Sequence, residues 1–206
     1  IKTSNNKKLK NEIDYLSKIP TSLKRYFPYI LEGNKKNNNK NFSLELEFIP
    51  YDNLGTIMIN NKFNKRFWLN VAKSINIVLE DFNSKSLTKN FDLDQIKMYI
   101  NKTENEYLKF KSSSNINYNL CTADNITLNG EKILNFEIIW PQIKKKILKN
   151  YLNNKISFIH GDFCFSNILF KNIGEKTSVK LIDPRGSFGK FLNMGDMYYD
   201  LAKLRH

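Results

Sequence analysis

The chain has 206 residues, 41% of them apolar, with 33 lysines and arginines against 20 acids and a formal net charge of +13. That length suits one ordinary domain or two small lobes, and no apolar run approaches what a membrane-spanning helix needs. The two cysteines, Cys121 and Cys164, stand far apart and the only histidines are His160 and His206, which excludes a disulfide framework, a Cys-x-x-Cys metal site and a His-rich metal centre.

Charge alone points to anionic partners such as nucleic acid, a membrane surface or phosphorylated substrates. The lysines, however, are spread along the chain and interleaved with Asn, as AT-rich coding also produces. No RNA-binding signature or repeated basic helix accompanies them, so nucleic acid is not the expected partner. Cysteine usage fits a reducing cytoplasm. The chain begins with Ile1 and stops at His206 inside a helical pattern, so both ends read as cut.

Ile1 to Ser4 reads as the end of a strand. Leu9, Ile13 and Leu16 recur at helical spacing until Pro20 stops the helix. Tyr26–Leu31 and Phe42–Ile49 read as two strands around a polar tract, Gly33 to Lys40, expected to be an exposed loop. In the second strand Leu44, Leu46 and Phe48 alternate with Glu45 and Glu47, the period-two signature of a half-buried strand. Pro50 to Gly55 ends it. Phe67, Val71, Ile75, Val78, Leu79 and Phe82 predict a long helix within Asn64–Leu87. A second helix is expected over Leu93–Phe110, a loop over Lys111–Asn119, and a third helical stretch over Ile133–Leu152, kinked or restarted at Pro141.

The chemistry gathers near the end of the chain. Ile156, Phe158 and Ile159 lead into His160-Gly161-Asp162, Asn167 follows, and the chain turns apolar again through Phe170. A polar turn containing Gly174 precedes a second apolar run, Val179 to Ile182, which ends at Asp183-Pro184-Arg185-Gly186. Short apolar runs bounded by turn signals read as buried strands. Two carboxylates and one amide at such a break suit phosphoryl transfer, which needs a base to orient a hydroxyl and metal ions to neutralise phosphate charge. Mg²⁺ can be held by one carboxylate and one amide oxygen together with phosphate and water. In this reading Asp162 is the base, and Asn167 and Asp183 are the metal ligands.

His160-Gly161-Asp162…Asn167 followed by Ile182-Asp183 resembles the two signature motifs of the aminoglycoside phosphotransferase and choline kinase family. Gly195-Asp196-Met197-Tyr198-Tyr199-Asp200-Leu201-Ala202 resembles the helix start that follows the metal Asp in that family. The motif-bearing part covers Ser157 to Leu204. The resemblance implies an α+β, protein-kinase-like two-lobe fold. Residues 1–50 would form an incomplete β-rich nucleotide-binding lobe ending in the hinge, and 51–206 a mainly helical lobe carrying the catalytic hairpin. It implies ATP and Mg²⁺ as cofactors and a small-molecule hydroxyl as acceptor. Lys2 and Glu12 look like the strand lysine and helix glutamate that grip the nucleotide's phosphates, with the covering glycine-rich loop expected before Ile1. Backbone groups near Phe48 and Ile49 would meet the adenine. His160 would hold the loop rather than act as a base, and Asp200 would brace the loop from a helix start.

The chain departs from the family where Pro184 and Arg185 follow the metal Asp in place of the commoner aromatic. Arg185 would grip a second phosphate or carboxylate, or pair locally with Asp196 or Asp200. Other chemistries lack their parts: there is no Gly-x-Gly-x-x-Gly, no Walker A and no Gly-x-Ser-x-Gly sequence. The expected function is transfer of the γ-phosphoryl of ATP to a small-molecule hydroxyl. A +13 chain is a poor attractor for a polycationic aminoglycoside, so a sugar, an amino alcohol or a surface-polysaccharide precursor is the expected acceptor. The alternatives are a nucleotide-binding module without transfer and a basic nucleic-acid-binding protein.

Overall fold

A computed structural model describes residues 1–34, 41–60, 64–90, 93–151, 155–173, 176–186, 188–189 and 191–205. In chain order its elements are β1 (Lys2–Ser4), α1 (Lys7–Ser17), a 3₁₀ segment (Thr21–Tyr26), β2 (Ile30–Asn34), β3 (Phe42–Leu46), β4 (Asp52–Asn53), α2 (Leu54–Asn60), α3 (Lys65–Asn83) and β5 (Leu87–Asn90). Next come α4 (Leu93–Ser112), α5 (Asn115–Thr122), β6 (Asn125–Leu128), β7 (Glu131–Leu134) and α6 (Phe136–Tyr151). The chain continues with β8 (Lys155–Phe158), a 3₁₀ turn (Phe165–Asn167), β9 (Ile168–Ile173), β10 (Lys176–Leu181), β11 (Met194–Gly195) and α7 (Met197–Leu204). The strands form small sheets ordered β1-β3-β2, β10-β9-β4, β11-β8-β5 and β6-β7, so the fold mixes α and β structure. Among the described residues no helix is long and apolar enough to cross a membrane.

The chain divides into two compact units, residues 1–89 with 155–206, and residues 90–154. In the first, α1 buries Leu9, Ile13 and Leu16 along one face, the spacing at which helical side chains stack. Helix α3 starts at Asn64, whose side chain accepts from Phe67 N at 3.1 Å, and buries Phe67, Val71, Ile75, Val78, Leu79 and Phe82. Full burial of such side chains contributes about 1.5–3 kcal/mol each. Tyr15, Phe27, Phe82 and Phe158 meet as an aromatic knot, with Phe82 and Phe158 edge to face at 4.8 Å and Tyr15 5.6 Å from Phe158. Tyr15 also uses its polar handle: its hydroxyl donates to the Ile159 carbonyl at 2.8 Å, anchoring the chain just before His160. Within this unit α1, Leu44, Leu54 and α3 bury their apolar groups in one cluster.

The second unit holds α4, α5, α6 and the β6–β7 hairpin. Asn129 (φ 52°) and Gly130 (φ 85°) form the hairpin's two-residue turn, where left-handed backbone at both positions matches the twist of paired strands. Buried Asn135 donates through Nδ2 to the Leu120 and Ala123 carbonyls at 2.7 and 2.5 Å. Tyr107, Phe136 and Trp140 stack in series at 4.4 and 5.2 Å.

Several expected elements differ. Tyr26–Leu31 is not one strand: the 3₁₀ segment ends at Tyr26, Phe27 enters the core, and β2 begins at Ile30. Pro28 has no N–H to give a ladder, so strand pairing starts after it. Strand β3 ends at Leu46 rather than Ile49, with Pro50 close behind. The helix expected to Leu87 stops at Asn83, and Leu87 opens β5. The expected loop at 111–119 holds α5, capped by Ser114, which accepts from Asn117 N at 3.1 Å. Residues 131–134 are β7, not helix, and α6 runs from Phe136 unbroken through Pro141. That proline removes one bond, to the Glu137 carbonyl, near the helix start. Residues 35–40 of the polar tract, Leu152, and Gly174 in the later turn lie outside the described residues.

Candidate active site

Strand β8 carries buried Ile156 and Phe158 into the loop, and β11 fixes its exit by pairing Met194 with Phe158, followed by Ile159 N to the Asn193 carbonyl at 3.0 Å. Gly161 has φ +79°, and a Cβ there would lie 2.8 Å from Cβ of Arg185, so both backbone and space call for glycine. The segment after β10 is bound to the loop at two points. Ile182 N donates to the Asn167 carbonyl at 3.0 Å, and Arg185 N donates to the His160 carbonyl at 3.1 Å. Asp183 lies between these bonds with φ +55°, a left-handed conformation that Asp tolerates better than most residues.

Two polar groups result. In one, Asn167 Nδ2 donates to the Asp162 carbonyl at 2.9 Å and to Asp162 Oδ2 at 3.1 Å, while Lys203 Nζ meets Asp162 Oδ1 at 2.9 Å. Burial pushes the Asp162 carboxyl up, but Lys203 and Asn167 more than offset this and hold it below the usual carboxylate range. In the other, Lys2 Nζ bonds Glu12 Oε1 at 2.7 Å and Asp183 Oδ1. Burial pulls the Lys2 ammonium down, and its bonds to Asp183 and Glu12 carry it back above its ordinary value. Glu12 lies above the usual carboxylate range because its own burial outweighs the pull of Lys2.

Below the loop the groups are fully buried. Asp200, on α7, accepts from His160 N at 2.7 Å and from Gly161 N at 2.8 Å, one donor on each oxygen. Burial pushes its carboxyl up to about 7 against those two donors. His160 Nδ1 accepts from Asp162 N at 3.3 Å, and its Nε2 is buried without a hydrogen-bond partner among the described residues. Burial lowers His160 to about 4, against the nearby Asp162 carboxylate, so the ring is neutral at pH 7. The imidazole is fully buried, with Nδ1 bonded to the loop backbone.

Of the residues singled out in the sequence, the fold gathers Asp162 with Asn167 and Lys2 with Glu12 and Asp183, and it ties the two backbone segments together. Phe48 and Ile49 stand apart: Phe48 is exposed, Ile49 accepts from Tyr51 N at 2.9 Å, and neither hydrogen-bonds to these groups. Arg185 donates through Nη1 to the Tyr199 hydroxyl at 2.9 Å and lies over the Tyr199 ring. Sequence reasoning missed Lys203. Lys203 shares a helix face with Asp200, but among 33 lysines and arginines that spacing alone does not mark it.

Among the described residues no group of three or more His, Cys, Asp or Glu side chains could hold a metal ion. Asn167 and Asp183 offer one amide and one carboxylate oxygen, a donor set that fits Mg²⁺ sharing phosphate and water ligands. Asn167 is buried and its Nδ2 is spent on Asp162, which leaves Oδ1 without a hydrogen bond among the described residues. The Asp183 side chain is half exposed, at 52%.

Gly186 closes the segment with φ +75°, and a Cβ there would lie 2.6 Å from the Asn11 backbone carbon on α1. Gly186→Ala is expected to lower stability by about 1–3 kcal/mol through backbone strain alone, with further cost from the clash. Thermal unfolding checks this, and an unchanged melting temperature would contradict both the left-handed backbone at Gly186 and the close approach of α1.

No protein-family model matches the chain, and no curated protein or solved structure matches it.

Proposed function

We propose that this chain is an ATP-dependent phosphotransferase of the aminoglycoside phosphotransferase and choline kinase type, with a two-lobed, protein-kinase-like architecture. It moves the γ-phosphoryl group to a hydroxyl of a small molecule. The observation that supports this most is the double tie between loop and strand end, Ile182 N to Asn167 O and Arg185 N to His160 O. Those two bonds hold the Asp183 segment against the loop of Asp162 and Asn167.

Asp162 orients the acceptor hydroxyl and takes its proton as the bond to phosphorus forms. Its low basicity suits this task, since transfer through a loose transition state needs the hydroxyl aimed more than deprotonated early. Asn167 and Asp183 would hold Mg²⁺, which supplies neutralisation of phosphate charge. Lys2 is aimed by Glu12 and sits beside Asp183, where an ammonium can bind phosphate oxygens. Backbone near Phe48 and Ile49 is offered to the adenine. His160, Asp200 and Tyr15 keep the loop in shape from below.

The net charge of +13 favours an anionic, neutral or at most singly positive acceptor over a polycation. The test is incubation with Mg²⁺ and ATP against sugars, sugar phosphates, choline, ethanolamine and an aminoglycoside, with the product read by phosphorus NMR. A phosphomonoester on a sugar or amino alcohol is expected. Phosphorylation of the aminoglycoside with all others inert would overturn the acceptor class. Nucleotide binding with no ATP consumed against any acceptor would favour a module without transfer.

A further inference from the structure

Helix α7 grips the loop at more points than a structural brace requires. Asp196 starts the helix, its side chain accepting from Tyr198 N at 3.0 Å. One turn on, Tyr199 receives Arg185 and Asp200 receives the His160 and Gly161 N–H groups. These contacts already fix the backbone of the loop. Lys203 sits three residues after Asp200 on the same helix face and reaches past the backbone to the acid itself, 2.9 Å from Asp162 Oδ1. The other oxygen, Oδ2, is held by Asn167 at 3.1 Å. The carboxylate of Asp162 is therefore held at both ends, by an amide from the loop and an ammonium from α7, which sets the plane of the group as well as its place.

A last-turn lysine also complements the negative end of a helix, and that alone would leave Nζ in water. Here the Lys203 side chain is only 27% exposed and the Asp162 side chain 42%. A lysine gives up rotamer freedom to stay in one geometry, so a directed contact is the better description.

We infer that Lys203 is a positioning residue for Asp162: it fixes the orientation of that carboxylate. The inference rests on the reading of Asp162 as the base. It adds a cation that the loop and strand motifs do not contain, carried on the helix that follows them.

The test uses Lys203→Met and Lys203→Arg in the full chain. A double-mutant cycle with Asp162→Asn, read by denaturant unfolding at neutral pH without nucleotide, gives the coupling of the two side chains directly. Lys203→Met is expected to destabilise the wild type more than it destabilises Asp162→Asn, and Lys203→Arg to lie near wild type because the charge is kept. With Mg²⁺ and ATP, kcat is expected to fall about 10²-fold in Lys203→Met, the scale of a misplaced reacting group, with KM for ATP little changed, and to recover in Lys203→Arg. Unfolding curves show whether Lys203→Met is folded. If it is not, Lys203→Gln serves in both arms. Additive effects of the Lys203 and Asp162 substitutions on unfolding overturn the inference, as does unchanged kcat in a folded, uncharged variant. Absence of turnover in the wild type would remove the phosphotransferase reading instead, and the double-mutant cycle would still decide whether Lys203 holds Asp162.

Discussion

Asp162→Asn is expected to lower turnover by about 10²–10⁴-fold, the range contributed by a positioned general base, while leaving ATP affinity nearly intact. Asparagine keeps the size of the side chain and can still meet Asn167, so the loop should hold. It cannot accept the proton of an acceptor hydroxyl. Its neutral amide also leaves Lys203 without a counter-charge at 2.9 Å, so the variant tests the base and its surroundings together. The groups assigned to nucleotide and metal, Lys2, Glu12, Asn167 and Asp183, are untouched by the change. The measurement is steady-state turnover beside direct ATP titration. Unchanged turnover would remove Asp162 from the chemistry, and a parallel loss of ATP affinity would mean the loop had collapsed.

The second large effect belongs to Asp200. Replacing it by alanine strands two buried N–H groups, those of His160 and Gly161, at about 1–3 kcal/mol each. That is a large share of the stability of an ordinary domain. The pH dependence is more specific. His160 titrates at about 4 in the fold against 6.5 ordinarily, so the unfolded chain binds more protons in that interval, and His160 makes stability rise with pH. Asp200 titrates at about 7 against 3.8, so the folded chain binds more protons there, and Asp200 makes stability fall as pH rises. The two slopes have opposite sign and overlap between pH 4 and 6.5. They offset, and the wild type should show little dependence from this pair in that window. Asp200→Asn removes one slope and exposes the other. Denaturant unfolding across the window should show a variant less stable throughout and increasingly so toward pH 4. A variant whose pH profile runs parallel to wild type would show that these groups do not titrate as their burial requires.

How much of this was readable from the sequence varies with the physics behind each feature. Helix α3 was readable because six apolar residues repeat at helical spacing and one face is buried. The loop was readable because His160, Gly161, Asp162 and Asn167 are local in sequence and lie between two apolar runs. The bracing by Asp200 was readable only through the resemblance, since a carboxylate at a helix start is otherwise a cap. Lys203 was not singled out, because in a chain with 33 basic residues one more lysine carries no signal until the helix is seen against the loop. The β6–β7 hairpin had a clear signal in Asn129-Gly130, which the short and largely polar flanking strands obscured. Helix α5 was hidden by its Ser- and Asn-rich sequence, although Ser114 is a proper cap. Pro141 misled in the other direction: near a helix start a proline costs one bond rather than the helix.

The most direct measurement is paramagnetic broadening by Mn²⁺ in place of Mg²⁺, with a non-hydrolysable ATP analogue bound and backbone amides observed by NMR. Asn167 and Asp183 are expected to lie at the metal together, so signals from 162–168 and 182–185 should vanish first in the wild type and return in Asp183→Asn. Loss of signals around exposed acids such as Asp124 or Glu131 instead, with both of those segments still sharp, would contradict a shared metal–nucleotide site at this loop.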